Sequence, residues 1–168
     1  MLDALSPLGA DARFEREGVT LTEAPHFILT QVAGDEKKMK KAFGKLPAKV
    51  GAALANDNRN IFRIGPKQFW FVGDTIEASE GVYVTPLSSG RTRIALVGVR
   101  ARAILASCAV IDFEASQFKP GHFVLTGIHH TPVLIHCIEN DSFHIFVLRT
   151  FALNVWEWLC DVAEGLGD

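Results

Sequence analysis

The last nineteen residues, from Thr150 on, constrain the chain most. In a helix beginning at Thr150, the expected N-cap, Asn154, Glu157, Asp161 and Glu164 recur at helical spacing and make one narrow polar stripe. Everything else there is apolar or small. Phe151, Val155, Trp158, Leu159 and Val162 fall in one sector, and Leu153, Trp156, Cys160 and Ala163 in another. Trp156 and Trp158 are two positions apart and point to nearly opposite sides. A helix laid on a single core needs an apolar arc of only about 100° or a little more, and this arc covers well over half the circumference. Either the helix is sunk in its own core, or the second sector meets another chain. A C-terminal helix is seldom buried all round, which favours a partner at Leu153, Trp156, Cys160 and Ala163.

The stretch leading into that helix alternates in the manner of strands. Thr92–Val97 is followed by Gly98 and a short helix over Val99–Cys108. Three strand-like runs come next, near His122–Thr126, Thr131–Ile138 and Ser142–Leu148. Phe143, Ile145 and Val147 share one strand face, and His144, Phe146 and Leu148 the other. Both are largely apolar, as in a central strand covered on both sides. In the short helix Ala101, Ile104, Leu105 and Cys108 fall on one side; Arg100 and Arg102 fall away from it and need not be ligands.

The same order of elements precedes this stretch. His26–Val32 reads as a strand, and Gly34-Asp35 ends it. Asp35 caps a lysine-rich helix that Pro47 ends or bends. Asn60–Ile64 and Gln68–Val72 form a hairpin around Gly65-Pro66-Lys67. Asp74–Gly81 is a polar connection with room for one helical turn, and Val82–Pro86 is a further strand. Residues 1–24 mix Pro, Gly and charge and read as an N-terminal arm, loosely ordered or laid along a partner. The expected organisation is this arm, then one domain over 25–168 with similar halves at about 25–87 and 88–168. A chain of 168 residues is long enough for one real core.

Little in the sequence carries chemistry. A formal net charge of -2 gives no whole-molecule field for nucleic acid. Lys37, Lys38, Lys40, Lys41, Lys45 and Lys49 cluster, and Met39, Ala42, Phe43 and Leu46 lie opposite, so the lysines read as a solvated helix face rather than an RNA-binding one. The start is acidic and lacks an apolar run, and no stretch is long and apolar enough for a membrane helix. Cys108, Cys137 and Cys160 are odd in number and far apart, which fits reduced thiols in the cytoplasm. The histidines lack metal-ligand spacing; His136 and His144 can be cross-strand neighbours. There is no GxSxG elbow, no GxGxxG and no phosphate-binding loop.

Arg63-Ile64-Gly65-Pro66-Lys67-Gln68-Phe69-Trp70 resembles the "R-[IL]-G-P-x-[EQ]-x-W" hairpin of the gamma subunit of heterotetrameric sarcosine oxidase. Ser89–Leu96, Gly98 and Ala101-Arg102 to Leu105 are similar to that family's strand and "G-P-x-A-R-x-x-L" helix, with Val99 in place of proline. Phe118-Lys119-Pro120-Gly121 matches its "F-x-P-G" turn. Phe143–Arg149, Phe151-Ala152 and Trp156–Leu159 match its closing strand and helix, and Gly18–Glu23 resembles its N-terminal region. The resemblance implies an α+β fold with two ferredoxin-like halves, antiparallel sheets and packed helices, as in a folate-binding aminomethyltransferase-like domain. It implies a non-catalytic subunit that binds no cofactor or metal itself. Its expected partners are alpha, beta and delta chains using FAD, FMN, NAD and tetrahydrofolate to demethylate sarcosine to glycine. A subunit of a related N-methylglutamate dehydrogenase and a stand-alone tetrahydrofolate-binding protein are the alternatives.

Overall fold

Alternation in the strands and glycines at their ends build two sheets of matching topology. A computed structural model describes residues 6–9, 11–56 and 59–166. In chain order it contains β1 (Arg13–Arg16), β2 (Val19–Glu23), β3 (Leu29–Gly34), α1 (Glu36–Phe43), β4 (Ala53–Asn56), β5 (Arg59–Gly65) and β6 (Gln68–Val72). Then follow β7 (Val82–Pro86), β8 (Arg91–Val97), α2 (Ala101–Cys108), β9 (Phe123–Ile128), β10 (Thr131–Glu139), β11 (Ser142–Leu148) and α3 (Ala152–Gly165).

The chain divides into two units. One is His26–Ser89; the other joins the segment up to Pro25 to everything from Gly90 onward. The first holds the sheet β4-β5-β6-β3-β7, and the second holds β1-β2-β8-β11-β10-β9. Every neighbouring pair of named strands is antiparallel. Strand for strand, β3-α1-β4-β5-β6 corresponds to β8-α2-β9-β10-β11. The strand beside β3 is β7, which precedes β8 in sequence. The strand beside β8 is β2, which precedes β3. Each sheet therefore takes one strand from the segment leading into the other unit.

The residues read as an N-terminal arm thus supply β1 and β2. Val19 and Leu21 are buried, and Thr20 and Thr22 alternate with them. That period of two is what places this run in a half-covered sheet.

The first strand of each repeat ends at a glycine whose backbone leaves no room for a Cβ. Gly34 has φ 138 and Gly98 has φ 132. A Cβ on Gly34 would lie 2.3 Å from the Gly81 carbonyl oxygen, and one on Gly98 would lie 2.2 Å from that of Gly18. The same two carbonyls accept from Asp35 N (3.0 Å) and Arg100 N (3.1 Å), so strand, turn and following helix lock onto the neighbouring strand's leading edge.

In α1, Asp35 accepts from Lys38 N at 2.9 Å, as expected of the cap. The helix stops at Gly44 (φ 81), whose N–H reaches the Lys40 carbonyl, before Pro47 is reached. A left-handed glycine ends a helix without the steric cost another residue would meet. Asp74–Gly81 forms no helical turn; its regular feature is a bridge between Ser79 and Val82. Thr150 does not cap the closing helix. Arg149–Phe151 forms a 3-10 turn, and Phe151 precedes the first α-helical residue without a side-chain cap.

Two cores result. In the first unit Val32, Met39, Ile61, Phe69, Phe71 and Val82 pack together. In the second, Ile94, Leu96, Ile135, Phe143, Ile145 and Val147 face α2 and α3. β11 lies between β8 and β10 as its two apolar faces require, and Phe146 on its other face is buried as well.

Candidate functional site

On α3 the buried stripe is Ala152, Val155, Leu159 and Ala163. Position 163 lies eleven residues beyond 152, close to three full turns, so the two alanines sit on the same side. The four residues of the expected partner sector are unequally placed. Ala163 is fully buried in its own core, and Trp156 and Cys160 are partly buried against that core. Leu153 alone of the four is exposed, at 49%. The second indole is not surplus either. Trp158 packs on the same core and stacks on the His129 ring, centroids 4.0 Å apart and planes at 29°. His129 and His130 form the two-residue turn between β9 and β10, both left-handed (φ 45 and 64). Such turns favour Asn-Gly, and the ring stack holds a turn whose backbone the histidines do not prefer. At the start of the helix Phe151 (47%) and Leu153 (49%) are exposed, just after Leu148 (36%).

Two arginines, one on a helix and one on a strand, hold the loops of their units. Arg102 of α2 donates through Nε to Asn140 O (2.7 Å) and through Nη1 to the carbonyls of Phe118 (3.0 Å) and Phe113. Its guanidinium lies 5.2 Å from the Phe143 ring centroid, and Nη2 is 3.8 Å from Cys137 Sγ. The planar fork thereby ties the long 109–122 loop and the β10–β11 turn to one helix. Arg102, which falls away from the apolar side of its helix, is accordingly a structural clamp. Arg63 of β5 does the same in the other unit. It pairs with Glu36 (3.1 Å), donates to Pro47 O and Ala48 O (both 3.1 Å) and lies 5.2 Å from the Phe69 ring. Hydrogen bonds from Lys40 and then Arg63 hold the Glu36 carboxyl below its ordinary range.

His136 and His144 face each other across β10 and β11. Burial is the main cause that lowers both to about 4. Repulsion between positive charges is the second cause: from His144, were it protonated, for His136, and from Arg93 for His144. Both rings are therefore neutral in the folded chain at neutral pH. The unfolded chain binds the extra protons first, so stability is full above about pH 6.5 and falls as pH drops towards 4, by up to about 1.4 kcal/mol per unit for each ring. Urea midpoints measured from pH 7 to 4 should fall, and His144→Phe should flatten the curve; an unchanged slope in that variant would contradict the assignment.

The thiols are poor nucleophiles. Burial pushes Cys108 and Cys160 up to about 11, with the Trp158 N–H opposing part of the Cys108 shift, and it raises Cys137 as well. Among the described residues, no group of three or more His, Cys, Asp or Glu side chains is placed to hold a metal. The His26–Ser89 unit carries an open groove at the N-cap of α1 and another beside the helix. One of about 550 Å³ is lined by Gly34, Asp35, Lys67, Gln68 and Tyr83, and one of about 400 Å³ by Lys38, Lys41, Ala42, Ser79 and Glu80. Asp35 in the first already accepts the amide of Lys38, and neither groove pairs a nucleophile with a base.

The Sarcosine oxidase, gamma subunit family (SoxG) matches residues 74–165, more than half of the chain. No curated protein matches by sequence. Among solved structures, a chain of the heterotetrameric sarcosine oxidase from Corynebacterium sp. U-96 in complex with pyrrole 2-carboxylate is similar in fold. Its TM-score is 0.83 at 21% identity, covering 97% of this chain and 96% of that one. The glycine cleavage system aminomethyltransferase T from Bartonella henselae is similar with a TM-score of 0.59 at 18% identity, over 95% of this chain and 52% of that one. The α+β architecture of two antiparallel sheets with packed helices is the aminomethyltransferase-like fold.

Proposed function

Because the chain belongs to the sarcosine oxidase, gamma subunit family, we propose that it is a non-catalytic subunit of a flavin-dependent complex that demethylates sarcosine to glycine. The observation that carries this reading is how the reactive side chains are used. Arg63 and Arg102 clamp loops, the thiols are wholly or partly buried and held protonated, and the His136–His144 pair is neutral. FAD, FMN, NAD and tetrahydrofolate belong on this reading to the alpha, beta and delta chains. The three free cysteines fit a cytoplasmic setting. No described helix is long and apolar enough to cross a membrane.

The contact with those chains falls on Leu148, Phe151 and Leu153, with the outer edges of Trp156 and Cys160 beside them. Leu153→Glu should leave thermal unfolding within about 0.5 kcal/mol of wild type, as for other exposed sites. It should weaken capture by the larger chains at least ~10-fold, which is about 1.4 kcal/mol. Unaltered capture would move the contact elsewhere. The test of function is co-purification of the tagged chain with flavin-bearing chains and sarcosine-dependent release of glycine. A chain that captures none of them, or that binds tetrahydrofolate at micromolar levels by itself, contradicts the reading.

A further inference from the structure

We propose that the lysines of α1 and of the segment after it, with the groove beside the helix, dock an acidic extended segment of a partner protein chain. The inference rests on the reading of the protein as a subunit and adds a second contact, chemically unlike the apolar one on α3.

Six lysines fall between positions 37 and 49, accompanied over 36–49 by one carboxylate, Glu36. All six are exposed. Lys38 pairs with Glu80 at 2.8 Å and Lys40 with Glu36 at 3.0 Å. Among the described residues, Lys37, Lys41, Lys45 and Lys49 make no ion pair. The chain as a whole carries more acidic than basic residues, 19 against 17. Carboxylates are therefore plentiful, yet four cations close together in sequence make no ion pair among the described residues. Like charges held together repel in the free protein, and an acidic partner relieves that repulsion on docking.

The shape adds to the charge. Asp74–Gly81 carries no helix, and the irregular connection leaves a groove of about 400 Å³ along α1, with Lys38 and Lys41 on one side and Ser79 and Glu80 on the other. Lys38 is already paired with Glu80, so Lys41 is the groove's ammonium left to meet a carboxylate of an extended segment as a point charge. A long polyanion such as RNA is disfavoured, because the rest of this chain is net acidic and no aromatic side chain is exposed among the lysines for a base to stack on.

The experiment uses the purified complex containing this chain. Its association with the remaining chains is followed by stopped-flow anisotropy across a salt series, for the wild type and for Lys41→Gln/Lys45→Gln/Lys49→Gln. The triple variant should associate about 10-fold more slowly at ~50 mM salt, and the two should converge by ~0.5 M salt. Identical salt profiles for two chains that both assemble overturn the lysine contact and leave the subunit assignment intact. Failure of the wild type to assemble overturns both. Binding of a single-stranded U20 RNA more tightly than a deca-glutamate peptide, lost in the same variant, replaces the protein partner with nucleic acid.

Discussion

Arg102→Ala is expected to lower the melting temperature by about 10 °C. The side chain satisfies the carbonyls of Asn140, Phe113 and Phe118 from one guanidinium, over the face of Phe143. Hydrogen bonds from a charged donor contribute about 1.5–3 kcal/mol each, and the acceptors left behind lose their partner. Their sum overshoots because removing one donor lets the loop relax, so a cost of about 3–5 kcal/mol is the expectation. At roughly 2–4 °C per kcal/mol for a chain of this length, that gives the stated shift. Arg102→Lys should recover less than half of it, since one ammonium cannot reach three acceptors held by a planar fork. Differential scanning fluorimetry checks both, and a lysine variant as stable as wild type would mean that charge alone matters at this position.

Gly98→Ala is the second large effect. The backbone at φ 132 lies where an L side chain is strained, and the added Cβ would meet not only the Gly18 oxygen at 2.2 Å but also its carbonyl carbon at 2.8 Å and Val19 Cα at 2.9 Å. These are backbone atoms of the paired strand and cannot swing aside. Moving them breaks the Arg100 N to Gly18 O bond and opens β2 from β8. A cost of about 4 kcal/mol or more is a large share of the ~5–15 kcal/mol that holds a domain folded, so soluble yield should collapse. Gly34→Ala should behave alike, because its Cβ would meet the Gly81 oxygen at 2.3 Å. Gly90→Ala is the control: it has nothing within 4 Å and no left-handed backbone, and it should be neutral. Equal urea midpoints for Gly98→Ala and Gly90→Ala would refute the close-approach argument.

Much of this architecture was legible from residue order. The hairpin at Gly65–Lys67, the strands β8 and β11, the Asp35 cap and the repetition of elements all follow from alternation, turn residues and capping chemistry. The N-terminal strands were not recognised, because Val19-Thr20-Leu21-Thr22 is only four residues of alternation after a stretch of Pro, Gly and charge. Its partner β8 lies some seventy positions away, and local pattern carries no information about such pairing.

The closing helix shows a different limit. Its wide apolar arc was evident, but how the arc is divided depends on what surrounds it. A stacked histidine turn and the second core absorb most of both indoles, leaving Phe151 and Leu153 uncovered. The arginine clamps were missed for a similar reason. A helix wheel shows that Arg102 points away from the apolar side, but not that a loop folds back to meet it.

Native mass spectrometry of the complex that co-purifies with the tagged chain tests the central claim most directly, when paired with a sarcosine assay of the chain alone. The account predicts a flavin-bearing assembly that contains this chain and turns over sarcosine, and no turnover by the isolated chain. A stable monomer that never enters such an assembly, or turnover by the chain alone, would contradict it.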